Sequence, residues 1–312
     1  MKKIIITGGC GQIGSHIAEL LLKRGDQVLV IDNFATGRRE NLPETHSGLT
    51  FVEGSIGDKG LVDKFTTEFR PDAIVHTAAS YKDPYDWYSD TQTNCVGGAN
   101  LVRAALANGV GRFIYFQTAL CYGVKPLEQP ITLNHPKLPA NSSYAISKTA
   151  AEDYIEISGL NYVTFRLANV IGPRNVSGPL PIFYQRISEG KKCFVTTARR
   201  DFVFVGDLAL AVLQAIDGVG SGAYHFSSGK DVAIKELYDA VVEAMELDEY
   251  PEPEIRELGS DDAPSILLDP SRTVEDFGEI EFTPIAETAK AGVEYFRKFG
   301  AVGGYTHLKH KD

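Results

Sequence analysis

Tyr144 and Lys148 have the residue types and the spacing of an acid–base pair. They stand four positions apart in Tyr-Ala-Ile-Ser-Lys, so in a helix their side chains share one face. A tyrosine with a pKa of about 10 is a poor base at neutral pH, but a nearby cation favours the phenolate and lowers that pKa. Because a solvated helix face often carries the same pattern by chance, we expect proton transfer here only if the fold also supplies a reactant site.

A hydroxyl group precedes this pair, in Phe-Gln-Thr-Ala-Leu-Cys-Tyr-Gly at 116–123. Thr118 follows an apolar run of strand length, and the ends of parallel strands open toward the ligand crevice of an α/β fold. There it can share with Tyr144 the proton of a substrate hydroxyl. Thr118 could equally cap a turn, and only the company of Tyr144 and Lys148 favours a catalytic role.

Closely spaced glycines follow an apolar strand at 3–7 and open a helical pattern. Gly9, Gly11 and Gly14 fit G-x-G-x-x-G, and Gly8 with the latter two fits G-x-x-G-x-x-G. Such glycines allow a tight turn, the close approach of a pyrophosphate and close packing of the helix on the strand. The helix N-terminus then offers free N–H groups and a positive dipole end to phosphates. An ordinary glycine-rich turn is the alternative.

Asp32 ends the next predicted strand, Gln27 to Ile31, and strengthens the dinucleotide interpretation. An acidic residue at that place accepts hydrogen bonds from the two ribose hydroxyls of an adenosine. The same carboxylate would repel a 2′-phosphate, so the predicted cofactor is NAD rather than NADP. A carboxylate that only caps a loop is the alternative, and the glycines before it weaken that interpretation.

Composition limits the class of protein. With 312 residues, 43% hydrophobic and 23% charged, the chain is typical of a globular protein with one large or two modest domains. A net charge of −10 without a basic stripe argues against a nucleic-acid partner, and no apolar run approaches the roughly 18 residues of a membrane helix. Because a strand is predicted from residue 3, we expect no signal peptide. Four scattered cysteines predict reduced thiols, no metal site and a cytoplasmic location: Cys10, Cys95, Cys121 and Cys193.

Strand and helix patterns alternate through the first half and become less regular afterwards. Strands are predicted at 3–7, 27–31, 49–52, 73–76, 113–116 and 162–167, and helices at 13–24, 58–69, 91–107, 144–158, 181–188, 206–216, 233–245 and 285–299. The alternation predicts an α/β fold with a Rossmann-type, doubly wound parallel sheet. We expect an NAD-binding domain over 1–165, with added segments from about 201–230. Residues 166–312 then form mainly a smaller, interleaved α/β substrate-binding region. Prolines at 251, 253, 264, 270 and 284 predict loops, short strands and one last helix in its C-terminal part.

Nine short segments occur in a characteristic order along the chain. They are Thr-Gly-Gly-Cys-Gly-Gln-Ile-Gly at 7–14, Asp-Asn-Phe-Ala-Thr-Gly at 32–37, His-Thr-Ala-Ala at 76–79, Asn-Cys-Val-Gly-Gly at 94–98, Thr118 with Gly123, Tyr144 with Lys148, Arg-Leu-Ala-Asn-Val-Ile-Gly-Pro-Arg at 166–174, Arg-Asp-Phe-Val-Phe-Val at 200–205, and Asp262 with Asp269. In this order the chain resembles the extended short-chain dehydrogenase/reductases of the NAD-dependent nucleotide-sugar epimerase/dehydratase family, over roughly residues 2 to 300. The spacing is specific for the family and less so for one reaction.

The resemblance implies NAD-binding residues in five places. These are the pyrophosphate turn, the segment that holds the adenosine ribose, the adenine pocket, the segment that passes beneath the dinucleotide, and the nicotinamide pocket. In that order they are Gly8, Gly11, Gln12, Ile13 and Gly14; Asp32, Asn33, Phe34, Thr36 and Gly37; Ser55 and Ile56; Thr77, Ala78 and Ala79, with Asn94 bracing their turn; and Tyr144, Lys148, Ala168 and Val170. It also makes Thr118, Tyr144 and Lys148 the catalytic residues.

The same resemblance implies a nucleotide-sugar substrate. Its binding residues would be Tyr81, Thr118, Asn169, Arg200 and Asp262. Asn169 and Arg200 would hold the diphosphate, where the planar fork of an arginine can grip two phosphate oxygens. Asn169 could instead only form the turn that follows it.

Three departures from the family pattern concern binding. Ser55 stands where an acidic residue usually meets the adenine amine, which leaves Asp58 as a helix cap. The segment between Ala79 and Asn94 is short and aromatic, with Tyr81, Tyr85, Trp87 and Tyr88. Gly259 replaces an arginine that often binds the diphosphate, and Arg256 or Arg174 could substitute, unless the nucleotide is held differently.

A fourth departure concerns the reaction. Related dehydratases carry Asp-Glu after the active-site threonine, and the glutamate moves a proton at C5; here Ala119 and Leu120 cannot. The resemblance therefore implies an epimerase, most simply at C4. Ionised Tyr144 would take the C4 hydroxyl proton while hydride passes to NAD, the 4-keto sugar would turn over, and hydride would return to the other face.

Other functions stay open at this stage. A dehydratase could bring in another carboxylate, such as Glu128, and an NAD-dependent dehydrogenase or ketoreductase of a secondary alcohol would use the same three catalytic residues. A non-catalytic NAD-binding scaffold fits less well because Thr118, Tyr144 and Lys148 are all present. The family also suggests a homodimer through the helices near 91–107 and 144–158, with no nucleic-acid or membrane partner.

Overall fold

The computed structural model describes residues 1–139, 142–247, 249–259 and 262–302, and these form fourteen strands and ten α-helices. The strands are β1 Lys3–Thr7, β2 Gln27–Asp32, β3 Leu49–Glu53, β4 Ala73–His76, β5 Arg112–Thr118, β6 Tyr162–Leu167, β7 Asn169–Ile171, β8 Phe194–Thr196, β9 Arg199–Arg200, β10 Phe202–Phe204, β11 Gly222–Phe226, β12 Val232–Ala233, β13 Glu254–Arg256 and β14 Ser265–Ile266. The helices are α1 Gln12–Arg24, α2 Lys59–Phe69, α3 Trp87–Asp90, α4 Gly97–Ala107, α5 Ser143–Ile157, α6 Pro179–Ser188, α7 Val205–Ile216, α8 Ile234–Ala244, α9 Ser271–Phe277 and α10 Ile285–Phe299. A π-helical segment, Thr91–Val96, joins α3 to α4.

Seven strands form one sheet in the order β11-β6-β5-β4-β1-β2-β3, and every neighbouring pair is parallel. The central strands are continuous apolar runs, as in Ile4 to Ile6, because helices cover both faces of the sheet. The chain runs from β1 outward to β3 and returns to β4 on the other side of β1. Such a switch in direction opens a crevice at the carboxyl ends of β1 and β4. The predicted Rossmann-type fold is confirmed.

Local sequence determines where the helices begin and end. Gly25 ends α1 with a φ of +87°, a conformation in which a side chain would be strained. The Asp58 carboxylate accepts the Leu61 N–H at 3.1 Å and caps α2, as the sequence predicts. Ser142 caps α5 by accepting the Ala145 N–H at 3.3 Å. The helix that carries Tyr144 therefore begins one residue before it, at Ser143.

The C-terminal part contains more regular structure than the sequence predicts. The expectation of loops, short strands and one last helix is wrong at 271–277, where α9 forms. Pro270 looks like a helix breaker, but it is the residue that precedes the first turn, where a missing N–H costs nothing. The helix predicted at 91–107 also begins earlier, at Trp87, because the Asp86 carboxylate accepts the Ser89 N–H.

Apolar clusters cover the two faces of the sheet, and a third lies in the second half of the chain between α6, α8 and α10. Elements beyond residue 165 also complete the first half, since β11 pairs with β6 and α7 packs on α1. The expected domain bounds, 1–165 with added segments from about 201–230, stay predictions.

Three general features of the described residues concern membranes, cysteines and metals. Within the described ranges, no helix is both long enough and apolar enough to cross a membrane. All four cysteines are unpaired. The described part of the chain holds no group of three or more His, Cys, Asp or Glu side chains that could bind a metal ion.

Candidate active site

A cavity of about 1230 Å³ lies at the carboxyl ends of the central strands, where the switch in strand order predicts a ligand site. The glycine turn and Asp32 line one end of it. Phe194, Arg200 and Asp262 line the other end. Segments far apart in the sequence therefore share one space, and the catalytic candidates lie between its two ends.

The glycine turn is so close to its neighbours that side chains do not fit at two positions. A Cβ on Gly8, whose φ is +68°, would lie 2.6 Å from the main chain of Ala78. A Cβ on Gly14 would lie 2.5 Å from the Gly8 carbonyl oxygen. Gly11 precedes α1 and has no side chain to cap it, so first-turn N–H groups stay available to an anion. This cradle fits the pyrophosphate of NAD.

Asp32 lies at the buried end of β2 and faces the cavity. Its two oxygens accept the N–H groups of Cys10 and Phe34, each at 2.8 Å. Burial raises the pKa of the Asp32 carboxyl, and these N–H bonds oppose that rise. A carboxylate has about four lone-pair sites, so Asp32 can still accept the hydroxyls of an adenosine ribose.

Two residues expected at the cofactor lie behind the cavity wall. Asn94 accepts the Ser80 N–H at 2.8 Å, donates to the Ser80 carbonyl at 2.9 Å and donates to Ser147. It therefore braces the turn that follows β4, as the resemblance implies. Phe34 stacks on Phe51 with ring centres 5.3 Å apart, which supports the loop after Asp32 rather than the cavity surface.

Tyr144 lines the middle of the cavity beside Tyr81, with ring centres 6.3 Å apart. Burial raises the pKa of Tyr144 above its usual value, and Tyr81 and Asp90 add to the rise. The prediction that Lys148 lowers the pKa of Tyr144 is therefore wrong for the protein without its cofactor. The reason is that burial takes the phenolate out of water, and Tyr81 and Asp90 disfavour the charged form further.

Lys148 is held by Tyr115 in the wall next to Tyr144. Its ammonium nitrogen lies 4.2 Å from the centre of the Tyr115 ring, and the Tyr115 hydroxyl donates to the Lys148 carbonyl at 2.9 Å. Burial lowers the pKa of Lys148 to about 7, while the Glu152 carboxylate one turn further along α5 raises it. The fold therefore fixes this side chain in place and makes its charge sensitive to its surroundings.

Thr118 ends β5 at the same wall. Its hydroxyl oxygen accepts the Leu120 N–H at 3.2 Å and still has a proton to donate. Ala119 and Leu120 follow it and also line the cavity. Glu128, the acid considered as a replacement, instead accepts the Thr132 hydroxyl at 2.7 Å and is not part of the wall.

The far end of the cavity is built from short strands of the second half. Arg200 on β9 pairs with Asp262 and donates to the Ala263 carbonyl at 2.8 Å. The Asn169 amide donates to the Asp201 carbonyl at 3.2 Å. These contacts hold a guanidinium at the wall but also offset its charge with a carboxylate.

Arg186 on α6 lines this end as well, and the sequence interpretation missed it. Its guanidinium lies 5.8 Å from the centre of the Phe194 ring and donates to the Lys192 carbonyl at 3.0 Å. The suggested substitutes for an arginine at Gly259 do not line the cavity: Arg174 binds Glu19, and Arg256 pairs with Glu254 and lies 4.1 Å from the centre of the Phe194 ring. In the sequence, Arg186 is only an arginine on the polar side of a predicted helix. Such arginines are common, so this signal does not identify a binding residue.

The other residues expected at the site meet at this cavity. Those that line it are Gly8, Gly11, Gln12, Ile13, Gly14, Asp32, Asn33, Thr36, Gly37, Ser55, Ile56, Thr77, Ala78, Ala79, Tyr81, Thr118, Tyr144, Lys148, Ala168, Asn169, Val170, Arg200 and Asp262. Their individual roles stay predictions, because position alone does not assign a contact to a ligand.

Known proteins match both the sequence and the fold. The model of the NAD dependent epimerase/dehydratase family matches residues 4–226. The crystal structure of the Bordetella bronchiseptica enzyme WbmH in complex with NAD+ is 75% identical, with a TM-score of 0.95 over 96% of this chain and 100% of that chain. The Bordetella bronchiseptica enzyme WbmG in complex with NAD and UDP is 40% identical, with a TM-score of 0.90 over 99% of both chains.

A curated relative extends the same result. The UDP-glucose 4-epimerase of Mycolicibacterium smegmatis is 31% identical over 316 residues, which cover 95% of this chain and 98% of that protein. The chain belongs to the NAD-dependent epimerase/dehydratase family. The family expected from the sequence motifs and its cofactor, NAD, are thereby confirmed.

Proposed function

We propose that this protein is an NAD-dependent nucleotide-sugar epimerase that inverts C4 through a transient 4-keto sugar. The observation that carries the proposal is the grouping of Thr118, Tyr144 and Lys148 on one cavity wall, with the apolar Ala119 and Leu120 beside them. Relatives named as UDP-glucose 4-epimerases support the same reaction, and they favour UDP as the nucleotide.

Protein groups at this wall provide proton transfer. Tyr144 in its ionised form accepts the proton of the C4 hydroxyl, and the Thr118 hydroxyl hydrogen-bonds to the same oxygen. When bound, NAD takes up the C4 hydride and returns it to the opposite face, and its positive ring favours the Tyr144 phenolate. Tyr144 then returns the proton, so protein and cofactor end the cycle unchanged. Acid–base help of this kind contributes roughly 10²- to 10⁴-fold.

Lys148 has a positioning role in this proposal. An ammonium one helical turn from Tyr144 can hydrogen-bond to a ribose hydroxyl of the cofactor. Because burial lowers the pKa of Lys148 to about 7, the contact with the ribose helps keep the side chain protonated.

Elimination is the less favoured chemistry. A 4,6-dehydratase needs an acid–base group at the sugar C5, and the two positions after Thr118 cannot serve. Glu128 is engaged with Thr132 away from the wall. Asp83 and Asp86 do line the cavity, but their carboxylates accept the N–H groups of Tyr85 and Ser89.

The substrate diphosphate is assigned to the second half of the chain. Asn169 and Arg200, expected from the motifs, line the same cavity as Arg186, whose guanidinium lies beside Phe194. Two guanidinium groups supply the charge-assisted hydrogen bonds that a diphosphate requires. Arg186 takes the part of the arginine that Gly259 replaces.

The test is an NMR assay in heavy water with purified protein, without added NAD, on UDP-, GDP-, CDP- and dTDP-sugars. A C4-inverted sugar without deuterium supports internal hydride return and hence an epimerase. A 4-keto-6-deoxy product with deuterium at C5 would instead identify a dehydratase. NADH formation that needs added NAD and a secondary alcohol would identify a dehydrogenase.

We propose in addition that the protein is a homodimer through the face formed by α3, α4 and α5. Large apolar side chains on this face are exposed: Trp87 by 64%, Tyr88 by 76%, Leu106 by 50%, Ile146 by 50% and Ile157 by 81%. A stable interface buries roughly 1,600 Å² in total, and such side chains supply its apolar part. Light scattering should give the mass of two chains, and Ile157→Asp should reduce it toward one. Leu127→Asp, which alters an exposed leucine outside this face, is the control; a monomeric wild type would contradict the proposal.

A cytoplasmic location is proposed on the state of the cysteines. All four are unpaired, as expected in a reducing compartment. Cell fractionation with a thiol count on the recovered protein tests this. Recovery in an extracytoplasmic fraction would contradict it.

A further inference from the structure

The strand that carries Thr118 extends beyond its neighbour in the sheet. Pairing between β4 and β5 ends where His76 meets Tyr115. Pairing between β5 and β6 continues to Thr118, which lies opposite Leu167. The last residues of β5 therefore project over the crevice with a strand on one side only. A backbone N–H at such an edge needs another acceptor.

A side chain takes the place of the missing strand. The Oε1 atom of Gln117 accepts the N–H of Thr118 at 2.8 Å. The Nε2 atom of Gln117 donates to Oε2 of Glu152 at 3.0 Å. Gln117 is 1% exposed, so water does not compete for these bonds. The opposite orientation of the amide would set donor against donor and acceptor against acceptor, which fixes the orientation seen.

Glu152 is itself held firmly. It is fully buried on α5, and Nε of Arg166 on β6 donates to its Oε1 at 2.9 Å. The Lys137 ammonium lies 3.7 Å from its Oε2. A buried carboxylate that contacts Arg166 at one oxygen and both Gln117 and Lys137 at the other has little freedom to move. The amide of Gln117 is thereby anchored to two neighbouring elements, α5 and β6.

These contacts end at the residue whose hydroxyl shares the substrate proton. Gln117 holds the Thr118 backbone on one side, and the Thr118 hydroxyl accepts the Leu120 N–H on the other. A displacement of about 1 Å in a catalytic group can cost a factor of about 100 in rate. We propose that Gln117, anchored by Glu152, is a positioning residue that sets the place of the Thr118 hydroxyl in proton transfer. This inference rests on the proposed function.

A double-mutant cycle tests whether Gln117 acts through Thr118. Gln117→Met keeps the length and apolar stem of the side chain and removes both hydrogen bonds. In the wild-type background it should lower kcat about tenfold and leave KM for the nucleotide sugar nearly unchanged. In a Thr118→Ala background it should change kcat by less than about twofold. Equal losses in the two backgrounds would overturn the proposal.

Glu152→Gln tests the same hydrogen-bonded contacts by changing the partner of Gln117. Glu156→Gln is its matched control. Glu156 also lies on α5 and contacts Arg166 at 3.5 Å, but it has no link to Gln117. Glu152→Gln should lower kcat in the wild-type background and much less in the Thr118→Ala background, whereas Glu156→Gln should leave kcat unchanged. Equal loss in both glutamate variants would contradict the proposal. Should Gln117→Met not fold, Gln117→Asn, which keeps an amide on a shorter stem, serves in its place.

Hydrogen exchange supplies a readout that does not depend on turnover. The Thr118 N–H should exchange faster in Gln117→Met than in the wild type, while peptides from α1 and β1 stay protected. Unchanged exchange at Thr118 would overturn the inference. If the wild type epimerises no nucleotide sugar, the proposed function fails, whereas this exchange result still decides whether Gln117 holds Thr118.

Discussion

The two ends of the cavity are built in different ways. At the cofactor end, backbone geometry makes the site: a glycine turn, a helix N-terminus and one carboxylate at the end of a strand. At the substrate end, side chains from short strands and from α6 converge, with Arg186 and Arg200 as the cations. The first kind of site tolerates almost no change in shape. The second could lose one residue and gain another elsewhere, as we propose for Gly259 and Arg186.

The largest effect should come from the wall between the two ends. Tyr144→Phe should lower epimerisation by about 10²- to 10⁴-fold, because the only group proposed to take the C4 proton is lost. Bound NAD and circular dichroism should match the wild type. Tyr154→Phe, an exposed tyrosine on the same helix, should retain full turnover. Near-normal turnover of Tyr144→Phe would mean that another group transfers the proton.

Gly14→Ala tests the rigidity of the cofactor end. The new methyl group would lie 2.5 Å from the Gly8 carbonyl oxygen and 2.7 Å from the Thr77 hydroxyl, so the turn must open. We expect NAD affinity to fall by about 10- to 100-fold, the equivalent of an overpacking cost of about 1–3 kcal/mol. Titration with NAD after removal of bound cofactor measures this. Gly111→Ala, where a Cβ meets its neighbour at 3.4 Å, should bind NAD normally.

Arg186→Ala tests the adaptability of the substrate end. Loss of a charge-assisted hydrogen bond to a phosphate should raise KM for the nucleotide sugar about tenfold with little change in kcat. Arg256 also contacts the Phe194 ring, but it does not line the cavity. Arg256→Ala should therefore raise KM much less than Arg186→Ala. A larger KM for Arg256→Ala than for Arg186→Ala would reverse the assignment.

The smallest effect concerns stability and pH. Burial lowers the pKa of Lys148 to about 7, so the folded protein binds fewer protons than the unfolded chain between about pH 7 and the ordinary lysine pKa. The penalty for burying the charge is complete below pH 7 and shrinks as the pH rises. Lys148→Met should therefore be more stable than the wild type at pH 6, by an amount that decreases toward pH 10. Urea unfolding without cofactor measures this, and Lys23→Met, an exposed lysine, should show no such trend.

The sequence predicts the cofactor end well because its constraints are local. Short apolar runs give the buried parallel strands, and a glycine has few reasons to recur every third residue other than the turn it forms here. Asp32 follows from its place after a strand. Phe34 and Asn94 lie behind the wall rather than on it because sequence order does not say which way a loop side chain points.

The substrate end is less predictable because its contacts join distant segments. Nothing near Arg186 in the sequence announces a partner, and its role depends on how α6 packs beside β8. The sequence also predicts the wrong direction for the pKa of Tyr144. Spacing reveals the nearby lysine, but it does not reveal the burial that raises this pKa. Helix α9 was missed because Pro270 was interpreted by its usual effect rather than by its position.

The pairing of β11 with β6 has a consequence for folding during synthesis and for recombination between relatives. Until residue 226 has been synthesised, β6 is an open edge, and exposed edges invite association with other chains. The nucleotide-binding layer is therefore finished only after much of the substrate region has emerged. We therefore expect that a cut at 165 does not yield an independent cofactor module. The family match ends at 226, the last residue of the strand that completes this sheet. Chimeras that exchange substrate regions between relatives should therefore keep β11 together with β6.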